Sequence, residues 1–159
     1  MAEDAFAGLP PHPPSVAEWE DLLVRLEIAP RALRVTLEGA PAADPEVRAL
    51  VARAAEREAL RQRMMEAMRT GAPFPAGDAS DAPGGDADAR DAAGRFGSLR
   101  MRTFAMAQRR GVDVWAWESP DDAGRPVTVY QLFTRMVRDD AGLLAALRGR
   151  IRALEGTAC

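Results

Sequence analysis

The chain has 159 residues, 47% hydrophobic and 28% charged, which fits one globular domain and excludes disorder throughout. Its formal net charge of −3 provides no basic excess for a phosphate backbone, so nucleic acid is not an expected partner. The single cysteine, Cys159, excludes an intrachain disulfide and a cysteine-based zinc site. No apolar run is long enough to cross a membrane, and the acidic, proline-rich N-terminus is unlike a signal peptide, so a cytoplasmic protein is predicted.

The N-terminal part predicts an arm followed by a helix. Residues 1–14 contain four prolines and predict an extended, proline-rich arm. Ser15 and Glu18 then form a capping box, in which the hydroxyl and the carboxylate each accept from a backbone N–H. The apolar seam that follows continues through Pro30 without losing phase, which predicts one kinked helix that ends at Gly39.

A second helix and a long loop are predicted next. Asp44 followed by Pro45 is a helix start signal, and an apolar face runs from Val47 to Met68. Residues 72–90 are rich in Gly, Pro, Ala and Asp and predict a flexible acidic loop. The other side of the second helix is predicted to be a solvated charged face, carrying Arg53, Glu56, Arg57, Arg61, Arg63 and Glu66.

The last part of the chain predicts two more helices. The third, over roughly 91–110, has apolar positions from Phe96 to Met106 and a capping glycine after it. Residues 112–117 alternate between apolar and polar, but without a visible partner strand they are interpreted as an extended loop packed on the bundle. Thr128 and Gln131 repeat the capping box and open the fourth helix.

The element order predicts the fold class. Four helices of about 20 residues or more, with one long connection, are typical of an all-α four-helix bundle with a long crossover loop between helices two and three. Spacings of three and four along each seam favour near-parallel helix packing. The predicted domain covers residues 15–154, and residues 155–159 form a tail.

Asp140 falls on the apolar seam of the fourth helix. A carboxylate inside a bundle is costly unless it is paired, so two interpretations stand. In one, Asp140 is neutralised by Arg53 or accepts a hydrogen bond from Tyr130 or a tryptophan N–H. In the other, it is a general base or, with Glu56, Glu58 or Asp139, a metal ligand.

Three further candidates remain open. Asp139 either joins Asp140 or forms an exposed helix-surface pair with Arg135. Trp115 and Trp117 either line a ligand pocket or cover the core.

Because the only histidine is His12, in the arm, a Ser-His or Cys-His hydrolase is not expected. The candidate pocket or buried polar pair comprises Arg53, Glu56, Asp139, Asp140, Tyr130, Trp115 and Trp117.

The order of local patterns resembles the DinB-like family of bacterial helical bundles. The resemblance covers roughly residues 15–154 and rests on the internal proline of the first helix, "LVARAAERE", "RFGSLRMRTF", the tryptophan loop and "GRPVTVYQLF" leading into "RDDAGLLAALR". Members commonly bind a divalent metal through three histidines, and several are thiol-dependent transferases. The positions that match these histidines hold Arg53, Asp139 and Leu143, so the resemblance implies a divergent member without the metal ligands.

Several functions are compatible with the sequence. The expected one is a non-catalytic module, without metal or cofactor, that binds a small apolar ligand or a protein, a homodimer included. The alternative is a divergent enzyme of the family, transferase or hydrolase-like, that uses carboxylates and arginines in the bundle pocket. A third is a regulatory protein that contacts its partner through residues 72–90. In the first case, Arg53 facing Asp139 or Asp140 replaces the metal bridge by an ion pair.

Overall fold

Four helices and a small hairpin make up the fold. The computed structural model describes residues 6–75 and 88–157. Its helices are α1 (Val16–Glu38), α2 (Pro45–Thr70), α3 (Ala89–Arg110) and α4 (Val129–Thr157). A 3-10 helix (Gly111–Ala116) and two antiparallel strands, β1 (Glu118–Pro120) and β2 (Pro126–Thr128), lie between α3 and α4. The predicted all-α four-helix fold is therefore confirmed.

Most of the predicted helix start signals are present as hydrogen bonds. Ser15 Oγ accepts from the backbone N–H of Glu18 at 3.2 Å, but the Glu18 carboxylate accepts from the Ser15 hydroxyl at 3.0 Å and not from the predicted backbone N–H. At the start of α4, Thr128 Oγ1 accepts from the N–H of Gln131 at 3.3 Å, and Gln131 Oε1 accepts from the N–H of Thr128 at 3.0 Å. Helix α1 continues through Pro30, as its unbroken seam predicts.

Other boundaries differ from the prediction. Helix α3 begins at Ala89, two residues early, and α4 continues to Thr157, through most of the predicted tail. Within the predicted arm, 1–5 lie outside the described residues, as do 76–87 of the predicted loop and the last two residues. What is described of the arm packs on α4, because Gln131 Nε2 donates to the carbonyl of Leu9 at 2.9 Å.

The segment after α3 corrects the predicted extended loop. Residues 112–116 belong to the 3-10 helix, and the strands begin directly beyond it. The sequence does not predict these two strands because each has only three residues. The turn that joins them is held by Asp121 Oδ1, which accepts from the backbone N–H groups of Ala123 and Arg125, each at 2.9 Å.

Two apolar clusters fill the bundle at different levels. The first contains the start of α4 and the end of α2, whereas the second contains the start of α2 and the middle of α4. Each helix contributes to both. The first includes Leu26, Met65, Ala107 and Met136. The second includes Leu33, Val51, Phe96 and Leu143.

Cluster membership fixes the helix directions. Helices α1 and α4 run from the first cluster to the second, and α2 and α3 run the opposite way. Helices α1 and α2 each pack against both α3 and α4. Because α2 and α3 are parallel, Thr70 and Ala89 lie at opposite ends of the bundle, as the predicted crossover requires.

Asp44 links the start of α2 to the end of α4. Its Oδ1 accepts from the backbone N–H of Val47 at 3.0 Å, and its Oδ2 accepts from Arg150 Nη2 at 2.8 Å. The hydrogen bond from Arg150, helped by the backbone donor, lowers the pKa of Asp44 from 3.8 to about 2. The capped and paired carboxylate therefore stabilises the native state above about pH 4.

Substituting Asp44→Asn should reduce the acid sensitivity of the fold. The pKa of Asp44 is lower in the folded chain, so its contribution disappears as pH falls from 3.8 towards about 2. Asparagine keeps the cap but cannot titrate. We expect the thermal unfolding midpoint of the wild type to fall more steeply with pH over this interval than the midpoints of Asp44→Asn and Arg150→Met. If the midpoints of all three proteins fell equally with pH, this prediction would be contradicted.

Candidate functional site

Five charged residues meet between the two apolar clusters. We call them the arginine–carboxylate centre. The side chains of Arg100 and Glu58 are completely buried, and that of Asp140 is 12% exposed. In chain order the members fall between the residues of the two clusters, so the centre forms a polar layer across the bundle. The members are Glu58 and Arg61 from α2, Arg100 from α3, and Asp139 and Asp140 from α4.

Every N–H group of Arg100 has a partner. Nε and Nη2 donate to the two carboxylate oxygens of Glu58 at 2.7 and 2.9 Å. Nη1 and Nη2 donate to the two oxygens of Asp140 at 2.8 and 2.9 Å. Nη1 also donates to the backbone carbonyl of Leu26 at 3.3 Å. A guanidinium has five N–H donors, so Arg100 is saturated and joins all four helices.

The Leu26 carbonyl is free to accept because of Pro30. In an α-helix this carbonyl would accept from the N–H of the residue four positions later, which proline lacks. Leu26 is buried, so without Arg100 its carbonyl would lose a hydrogen bond away from water. Helix α3 lies close to α1 here, since a Cβ added to Gly97 would lie 3.4 Å from Pro30 Cβ, at the near edge of ordinary van der Waals contact.

Asp139 has two arginine partners. Arg61 Nη2 donates to Asp139 Oδ2, and Arg135 Nε lies 3.2 Å from Asp139 Oδ1. The predicted helix-surface pair with Arg135 is therefore present, beside a more buried one. Arg61 itself is buried, contrary to the predicted solvated face, because α2 is covered by α3 on one side and by α4 on the other.

Burial and charge oppose each other in the centre. Burial alone would lower the pKa of Arg100, but the hydrogen bonds that it donates to Glu58 and Asp140 outweigh it and raise that pKa above its usual value. Burial lowers the pKa of Arg61, against the opposing charges of Asp139 and Glu58. Arg100 thus remains charged and supplies the compensation that buried carboxylates require.

The predicted ion pair of Arg53 is not found. Arg53 is half-buried, and in the described parts of the chain no ion pair joins it to Asp139 or Asp140. It lies two turns of α2, about 12 Å, before Arg61. The two aspartates contact Arg61 and Arg100 instead, so an arginine does neutralise them, but not the predicted one.

The remaining predicted site residues lie outside the centre. Glu56 pairs with Arg95 near the surface between α2 and α3. Trp115, Trp117 and Tyr130 pack around the first apolar cluster, as the core-covering interpretation predicts. They do not meet Glu56, so the structure does not bring the predicted pocket residues together as one site.

Arg100 is not among the residues that the sequence predicts for a site. Of the predicted apolar positions on the third helix, Phe96 and Thr103 are buried, whereas Leu99 and Met106 are only half-buried. The buried face continues instead through Arg100 and Ala107. The spacing of four and three around Arg100 places it in phase with the core, and its guanidinium lies 4.8 Å from the centre of the Phe96 ring.

The residues present do not fit the metal site that the resemblance implies. His12 is exposed in the arm, and Leu143, which matches one histidine, is buried in the second apolar cluster. Among residues 6–75 and 88–157, no group of three or more histidine, cysteine, aspartate or glutamate side chains could hold a metal ion. Glu58 and Asp140 bind Arg100 with all four carboxylate oxygens.

Three cavities in the described surface lie away from the centre. One of about 460 Å³ lies between α1 and α3, and an adjoining one of about 310 Å³ shares Arg34, Ala93 and Gly94 with it. The third, of about 270 Å³, lies beside Tyr130. No member of the arginine–carboxylate centre lines any of these three cavities.

Comparison of the chain with protein-family models, curated proteins and solved structures finds no match. In the described residues no helix is both long and apolar enough to span a bilayer. What the chain does must therefore be inferred from its own side chains.

Proposed function

We propose that the protein is a cytoplasmic, non-catalytic protein-interaction module with a DinB-like layout. Its binding surface is the outer face of α1. The observation that carries this proposal is a row of three large apolar side chains, each more than half exposed, formed by Val24, Ile28 and Val35. We call it the α1 row. Exposed apolar side chains clustered on one helix are typical of a surface that binds another protein.

The closed centre supports a non-catalytic role. A catalytic group has to come within hydrogen-bond distance of a reacting atom. Arg100 has no unused donor for a substrate, and the oxygens of Glu58 and Asp140 already accept from it. Replacing these hydrogen bonds by bonds to a substrate would break the contacts that join the four helices. The centre is therefore best understood as structural bracing.

The competing enzyme function can be tested by ligand screening. We expect no stoichiometric Mg²⁺, Mn²⁺ or Zn²⁺ in native mass spectra, and no rise of the unfolding midpoint with these ions or with low-molecular-weight thiols. A ligand that binds the native state selectively must raise that midpoint. Stoichiometric metal or thiol binding that is lost in Asp139→Asn, but kept in the exposed control Asp122→Asn, would overturn the proposal in favour of the divergent enzyme.

A further inference from the structure

We infer that the partner of the α1 row is a second copy of this chain, bound antiparallel along α1. This inference rests on the proposed interaction function and names its partner. It follows from the placement of apolar and charged side chains on the outer face of α1, which suits a two-fold interface in which the same patch faces itself.

The α1 row forms a narrow apolar stripe. Val24, Ile28 and Val35 are 53%, 54% and 57% exposed. At 3.6 residues per turn, their directions around the helix axis fall within about 40° of one another. The stripe faces away from the core residues of α1, such as Leu26 and Leu33, which are 1% exposed. A second helix laid along the stripe would cover all three side chains at once.

One edge of the stripe is charged, with opposite signs at its two ends. Glu27 precedes the middle of the α1 row, whereas Arg31 and Arg34 follow it, and all three are exposed. Within the described part of the chain, none of the three forms an ion pair. Their charges therefore remain available to a partner.

An antiparallel pair with its two-fold axis near residues 29 and 30 satisfies both features. Val24 then faces Val35 of the second copy, and the two copies of Ile28 lie side by side. In an antiparallel helix pair the same edges meet, so Glu27 falls between Arg31 and Arg34 of the second copy. In a parallel two-fold pair the opposite edges of α1 would meet, so Glu27 would not reach Arg31 or Arg34 of the second copy, which favours the antiparallel arrangement.

The surroundings of the row allow this approach. On the charged edge, α1 borders the 460 Å³ groove, whose far wall includes Met101 of α3, 43% exposed. The long side chains of Arg31 and Arg34 can reach across their own edge to Glu27 of the second copy. Glu20 and Glu38 of opposite copies approach each other only at the exposed ends, where salt screens their repulsion.

Sedimentation equilibrium from micromolar to millimolar protein tests the inference. We expect the wild type to form dimers, and Ile28→Glu to remain monomeric with an unchanged circular dichroism spectrum. The matched control is Val112→Glu, which replaces a 55% exposed valine in the 3-10 helix and should dimerise like the wild type.

Charge exchange distinguishes the proposed arrangement from other dimers. Glu27→Arg alone and Arg31→Glu/Arg34→Glu alone should each dimerise more weakly than the wild type, by about tenfold or more, whereas an equimolar mixture should form the mixed dimer. A wild type that is monomeric throughout would overturn the inference, as would a dimer insensitive to Ile28→Glu or a mixture with no preference for the mixed dimer. Such results would exclude a second copy as the partner of the α1 row but not another protein, whereas the proposed non-catalytic function is overturned by stoichiometric metal or thiol binding.

Discussion

Substituting Arg100→Met should lower the free energy of unfolding by about 3–5 kcal/mol, because it leaves Glu58 buried without its counter-charge. Urea unfolding followed by circular dichroism measures the loss. Arg102→Met is the matched control on α3, since Arg102 is exposed, and it should change stability by no more than about 0.5 kcal/mol. Arg53→Met should also have a small effect. A similar loss in Arg53→Met and Arg100→Met would show that the pairing described above is wrong.

Replacing the buried network as a whole should cost much less than removing one member. In the variant Glu58→Met/Arg100→Met/Asp140→Leu no unpaired charge remains, and apolar side chains of similar volume occupy the layer. We expect it to recover most of the stability that Arg100→Met loses. If the triple variant were less stable than Arg100→Met, the loss would have to come from packing rather than from the unpaired carboxylates.

Substituting Phe133→Ala is expected to lower the free energy of unfolding by about 3–5 kcal/mol, because it opens a cavity in the first apolar cluster. Phe133 is fully buried and stacks on Trp19, with 5.7 Å between ring centres and 7° between ring planes. Trp19 in turn meets the edge of Trp115 at 6.1 Å. The loss should appear in urea unfolding, with a weaker near-ultraviolet circular dichroism signal as the tryptophans lose their fixed packing.

Substitutions of different size separate cavity formation from loss of the ring contact. Phe133→Leu fills more of the space than alanine and should cost less, while the near-ultraviolet signal should still fall because the stack is gone. Val112→Ala shortens an exposed side chain and should leave both measurements close to the wild-type values. Wild-type stability in Phe133→Ala would contradict the packing described for this cluster.

Local signals in the sequence were sufficient for the helices. The capping pairs at Ser15 and Thr128 and the acid before Pro45 each act within a few residues, so their hydrogen bonds could be anticipated without knowing the fold. The strands of the hairpin could not be, because three residues on each side carry too little alternation to distinguish a strand from a loop.

The charged layer required knowledge of the packing. Periodicity separates an apolar side of a helix from a polar one, and an arginine between apolar positions is ordinarily assigned to solvent. Arg61 and Arg100 are buried because neighbouring helices supply carboxylates at the same level. Whether these arginines and carboxylates lie at the same height along the bundle depends on how far each helix is displaced along its axis. The local pattern of one sequence does not specify that displacement. The periodicity of α4 places Asp140 on its buried side, but nothing in α4 indicates that the partners are Arg61 and Arg100 rather than Arg53, two turns earlier on α2.

The pairing of Pro30 with Arg100 gives the bundle a single alignment. Apolar clusters tolerate small slips, since one methyl group packs about as well as another. The Leu26 carbonyl is different, because in the body of α1 it is the one acceptor that Pro30 releases from the helical ladder. Sliding α1 by one residue, about 1.5 Å, would carry it away from the guanidinium and leave both groups unsatisfied. A proline and an arginine seventy residues apart thus select one native state among closely related packings.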